Sequence, residues 1–254
     1  MKKVKLSLVA ILLLGAVACN KTNNSVSPGG TVHPTPNVSN AEAADLVAGS
    51  LSLNSNGVAN VAGDATLNAI NMINTHAQCG TIRADTISRQ STVGAAYTYS
   101  YNLTYNFTVN CNSSSQPDSL SSSLVYSGSF NGPNLSSTNS GSSVFTVNGL
   151  APGSTDFVIN GEYKRSGSFK SKIDTTNVGN SNVDIVIKAL TITRPGRTIA
   201  SGTATISVSG DVPKKGSFSY TGTLVFNGDG TATLTLNGTV YTINLSTGQR
   251  FNHF

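Results

Sequence analysis

Tryptophan is missing from this chain, charged side chains make up only 11% of it, and it has just three histidines and three cysteines. Each shortage narrows the possibilities. The absence of indole rings counts against a carbohydrate platform built on Trp stacking. The charged fraction lies well below the usual quarter, and no run of Lys and Arg is dense enough to leave the footprint of a nucleic-acid binder. The short basic clusters Lys164-Arg165, Lys170 with Lys172, and Lys214-Lys215 read as solubility charges at strand ends or on exposed faces. Catalytic signatures are absent as well: there is no G-x-S-x-G, S-x-x-K, H-E-x-x-H, Walker or dinucleotide-glycine motif. A serine nucleophile needs a base, and His76 is the one histidine away from the chain's ends. No cofactor and no metal site is expected, since His76 and Cys79 form only a lone H-x-x-C pair. Beyond the first nineteen residues the acids include only two glutamates, Glu42 and Glu162. Glu162 lies two residues before Lys164, on the same face of a strand, and reads as half of a solvent-facing ion pair.

What is abundant is Ser, Thr, Asn and Gly, the polarity of an exported β protein. The start of the chain supports export. Lys2, Lys3 and Lys5 precede an apolar run, Leu6 to Val17, that is too short to span a bilayer as an ordinary helix. Small residues then lead into Ala16-Val17-Ala18-Cys19. This segment resembles a bacterial lipoprotein signal peptide with its lipobox, although Ala16 stands where leucine is commoner. The resemblance implies cleavage after residue 18 and acylation (palmitate or a similar chain) of Cys19. An ordinary secretory peptide cut at Ala18, or an uncleaved anchor, are the other readings. Losing the three leading lysines takes the formal charge from +5 to +2. Asn20 is not the aspartate that retains enterobacterial lipoproteins in the inner membrane, so the expected location is the outer membrane. The composition is similar to that of Ser/Thr/Asn-rich envelope lipoproteins of Bacteroidota that carry no assigned activity.

Residues 19–38 hold little that is apolar and read as a flexible tether after the lipidated cysteine. Residues 39–254 suit a single β-rich domain. Ser39 and Glu42 have the spacing of a capping box, which predicts a helix to about Ala48. A second helix is expected from Ala65 to Thr75, capped by Asp64, with Leu67, Ile70 and Ile73 or Asn74 on or near one face and Ala65, Ala69 and Met72 extending the stripe.

From there the period changes to two. Tyr97, Tyr99, Tyr101, Leu103, Tyr105, Phe107, Val109 and Cys111 share one face of a strand of about fifteen residues, roughly 50 Å long. A second long strand carries Phe157, Ile159, Gly161, Tyr163 and Phe169 on one face. The segment 183–192 is apolar on both faces at its start, as in a central strand covered by a helix. Asn237-Gly238 marks a type I′ hairpin, whereas Asn160-Gly161 interrupts an alternation and suits a bulge. Short turns between long strands predict a large curled antiparallel meander, barrel-like or half-open. Cys79 and Cys111 are expected to form a disulfide in an oxidising compartment.

Three functions follow as expectations. The first is a non-catalytic structural or interaction module of the envelope, held to the membrane by its lipid and meeting another envelope protein. The second is a carrier or receptor for an apolar, lipid-like ligand, with Tyr97, Tyr99, Tyr101, Leu103, Tyr105 and Phe107 lining a cavity; the same face can equally be solid core. The third is an envelope hydrolase, which would require carboxylates gathered in a cleft.

Overall fold

Residues 38–195 and 198–252 are described in the structure, a computed structural model. The capping box forms as its spacing predicts. Ser39 Oγ accepts from the Glu42 amide at 3.2 Å, while the Ser39 amide donates to the Glu42 carboxylate at 3.1 Å. Helix α1 (Asn40–Leu51) follows, running three residues past the expected end, and every residue from Glu42 to Leu51 is buried. A 3-10 turn at Leu53–Ser55 comes next. Asn56 then adopts a φ of 51°, and at Gly57 a Cβ would lie 2.4 Å from the Leu51 carbonyl carbon. Only glycine permits so close a return of the chain.

Helix α2 therefore starts at once, spanning Val58–Asn74. This corrects the expected start at Ala65. Asp64 is no cap but an interior residue of the helix. The buried stripe is in part as expected: Ala65, Ala69 and Met72 are buried, joined by Val58, Val61 and Ala62, while Ile70 and Ile73 are only partly buried and Leu67 is exposed. Small alanines face inward because the helix lies close against surrounding strands, where Leu would not fit.

Eleven strands follow: β1 (Ile82–Gln90), β2 (Thr98–Cys111), β3 (Pro117–Asn131), β4 (Leu135–Asn148), β5 (Asp156–Ser171), β6 (Val178–Thr193), β7 (Ile199–Val212), β8 (Gly216–Phe226), β9 (Thr231–Leu236), β10 (Thr239–Asn244) and β11 (Arg250–Asn252). They form one antiparallel sheet in chain order, with β1 and β11 at its edges. The meander is as expected, and it is open rather than closed. Asn237 and Gly238 have φ values of 45° and 81°, the pair of positive angles that a type I′ turn needs. At Asn160-Gly161 the β5–β6 register slips, as in a bulge. Gly161 has φ 147°, and a Cβ there would meet the Val144 oxygen at 2.0 Å. Strand β6 is central in the order, but among the described residues no helix covers its second face, where Val186 is exposed.

The sheet curls around the helical segment. Helix α1 packs on β6, β7, β9, β10 and β11, α2 on β4 and β5, and the 3-10 turn on β2 and β3. Strands β1 and β8 reach the same segment through side chains, Arg89 to Asp64 and Tyr220 to the Val38 carbonyl. Alternation along each strand sends Leu, Ile, Phe and Tyr into this core and Ser, Thr and Asn outward. Helix α1 begins at one end of the strands, where Asn40 donates to the Leu236 oxygen at 2.9 Å. Helix α2 finishes at the other end, beside Val109 and Leu150.

Candidate functional site

The aromatic face singled out in the sequence lies beneath the helices. Tyr101, Leu103, Tyr105 and Phe107 are all buried. Tyr99 is half-buried at the margin, and Tyr97, also half-buried, precedes β2. The helical segment occupies the space that a bound chain would need, so this face is packed core. Burial raises the hydroxyl pKa values of Tyr101, Tyr105 and Tyr163 above the ordinary tyrosine value, and each hydroxyl has a partner. Tyr105 donates to Asp64 at 2.5 Å, Tyr163 donates to the Asn56 carbonyl at 2.8 Å, and Tyr101 accepts from the Asn139 amide at 3.3 Å.

Arg165 sits at the centre of this polar layer. The expectation of an exposed Lys164-Arg165 pair holds for Lys164 and fails for Arg165, because successive residues of a strand point to opposite faces. Arg165 is buried and donates to the Gly49 carbonyl at 2.6 Å, to Tyr163 Oη at 2.8 Å, to Tyr126 Oη at 3.2 Å, and to the Ser55 carbonyl. Its guanidinium also stacks over the Phe130 ring at 5.3 Å. Lys164, on the outer face, pairs with Glu162 at 2.7 Å and lies 3.7 Å from Asp184. Partial burial and the neighbouring Glu162 charge raise the Asp184 pKa.

The three acids of the helices are each bound to the sheet or its turns. The Glu42 carboxylate accepts from Asn177 Nδ2 at 2.9 Å. Burial pushes its pKa up, but hydrogen bonds from Ser171, Asn177 and Ser39 outweigh that and hold it below 4.5. Asp45 accepts from Asn134 at 2.8 Å and from Arg250 on β11 at 2.9 Å. Burial nevertheless keeps the Asp45 pKa above its ordinary value, with Arg250 and Asn134 opposing. Asp64 receives both terminal nitrogens of Arg89, on β1, at 2.8 Å each. The gaps beside Glu42 and Asp45 are no larger than about 10 Å³, far below a small-molecule site. The remaining basic clusters tie turns together. Lys172 donates to the Gly132 carbonyl at 2.6 Å, and Lys215 reaches Asn177 at 2.7 Å and Asp174 at 3.2 Å.

Cys79 and Cys111 are joined in a disulfide with Cα atoms 5.6 Å apart, fastening the segment after α2 to the end of β2. His76 is exposed beside it, and among the described residues no three His, Cys, Asp or Glu side chains gather to hold a metal. Next to the disulfide lies a recess of about 400 Å³, between the end of α2 and the β2–β3 and β4–β5 turns. Nothing in the sequence pattern marked it, since its walls come from three separated segments. Cys19 and the lipobox lie outside the described residues, as does the tether up to residue 37. No protein family, curated protein or solved structure matches this chain.

Proposed function

We propose that this chain is a lipid-anchored lipoprotein of the cell envelope, held in the outer membrane through Cys19, whose domain serves as a non-catalytic structural or interaction module. The lipobox-like Ala16-Val17-Ala18-Cys19 behind a short basic and apolar leader supports the anchor. A single acyl chain holds a protein only marginally, whereas two or more give stable attachment. The observation that carries the non-catalytic reading is the use made of the interior acids. Glu42, Asp45 and Asp64 each fasten a helix to the sheet or its turns and face no cleft. A hydrolase would need a carboxylate beside a space for substrate; Asp184 does border a groove of about 470 Å³ on the outer face of the sheet, but there it lies 3.7 Å from Lys164 on a partly exposed surface. The carrier reading, as it rested on the tyrosine face, loses support because the helices fill the interior.

Fractionation of cells expressing the wild type and Cys19→Ser tests the anchor. The wild type is expected in the outer-membrane fraction with acyl chains detectable by mass spectrometry, and the variant in the soluble fraction. A variant that is processed and still pellets with membranes in equal amount overturns the proposal.

A further inference from the structure

The recess beside the disulfide has the chemistry of a ligand site that the module reading does not use. Met72, Val109 and Leu150 form its buried floor, and Ile73, Pro117 and Pro152 its sides. At about 400 Å³ it falls in the range of small-molecule sites. No Lys, Arg, Asp or Glu lines it among the described residues, so its interior offers no fixed charge to balance an ionic group drawn inside. Backbone groups around it are already paired. The Gly80 amide donates to the Val109 carbonyl, the Val109 amide to Thr81, and the Leu150 amide to Asp118. An extended peptide would therefore find no ladder to join. The tether of this chain is a poor occupant too, because residues 19–37 are mostly Asn, Ser, Thr, Gly and Pro. Among the described residues the polar side chains of its lining, His76, Gln78, Ser115 and Gln116, are exposed and stand at the rim.

The geometry points to a site for one hydrocarbon chain of a lipid-like molecule, inserted tail first, with its polar head at the glutamine-bearing rim. Apolar burial supplies the attraction, and Met72 adds a flexible, polarizable surface that adapts to an alkyl chain. The disulfide fixes one wall against β2. The opening lies at the end of the strands opposite that where Tyr220 meets the Val38 carbonyl. The inference goes beyond the proposed function and does not depend on acylation of Cys19.

It is tested on the full chain carrying Cys19→Ser, with dodecanoate and dodecanol each displacing a fluorescent apolar probe. Both ligands are expected to displace it, since the tail and not the head is recognised. Ala77→Trp fills the recess from its side and is expected to weaken both ligands by about tenfold or more, with an unchanged melting temperature. Gln116→Trp, at the exposed rim, gives a second obstruction should the first variant misfold. Val125→Trp, on the exposed outer face, is expected to bind as the parent does. Failure of dodecanol to displace the probe, or undiminished binding by a folded recess variant, overturns the inference.

Discussion

Arg165 carries a buried positive charge that, among the described residues, meets no carboxylate. Its partners are the Gly49 and Ser55 carbonyls, where the end of α1 runs into the 3-10 turn and the helix dipole is negative. Tyrosine hydroxyls and the Phe130 ring complete the shell. A lysine supplies no planar fork to reach four acceptors, so Arg165→Lys is expected to lower unfolding free energy by about 2 kcal/mol, read from urea denaturation. The position was legible in part. Phe157, Ile159, Tyr163 and Phe169 set an inward parity that runs through residue 165, yet a basic doublet invites an exposed reading.

Glu42 has a folded pKa below 4.5, so the unfolded chain takes up the proton first. Its hydrogen bonds therefore add stability above that value, and the contribution disappears as pH falls through the folded pKa. Asp45, whose pKa burial raises from 3.8, has the opposite slope and favours the fold when protonated. In Glu42→Gln the loss of stability on acidification is expected to be smaller than in the wild type, measured as urea midpoints over a descending pH series. At the alkaline end, tyrosines 101, 105 and 163 resist ionisation while folded. Absorbance titration is expected to show them ionising only together with unfolding, above about pH 10.

At the scale of elements, the helices act as a spine to which both free edges of the sheet are tied. Asp64 holds Arg89 of β1, and Asp45 holds Arg250 of β11. Asp64→Asn weakens the first tie, and hydrogen exchange is expected to quicken along β1 by about tenfold while β4 to β6 stay protected. The disulfide closes a separation of 32 residues. Replacing both Cys79 and Cys111 by Ser is expected to cost about 3–4 kcal/mol on chain-entropy grounds, measured by thermal or urea unfolding. The α1 start, the length of β2, the Asn237-Gly238 turn and the bulge at Gly161 were all readable, because local sterics or a repeating pattern decide them. The start of α2 was not. Asn56-Gly57 is a break after which the helix begins, but Gly63 looks like another, and tertiary contacts of Val58, Val61 and Asp64 carry the helix through it.

For the whole molecule, chain order equals sheet order, and this followed from short turns between long alternating strands. Alternation says which face is covered but not by what. The wrapping of the sheet about its own N-terminal helices, and hence the solid interior, left no mark in any single segment. The recess is hidden for the same reason, being assembled where three distant stretches converge.

The pairing of each strand with its sequence neighbour also bears on how the chain comes together. Every hairpin can zip locally as soon as its second arm is available, with little loop entropy to overcome. The partners of α1 on β9, β10 and β11 are the last to be made. Helix α1, made before any strand, thus waits uncovered until β6 and β7 follow and is fully covered only with β9 to β11, when Arg250 reaches back to Asp45. Loss of the final few residues is therefore expected to unseat the beginning of the domain as much as its end.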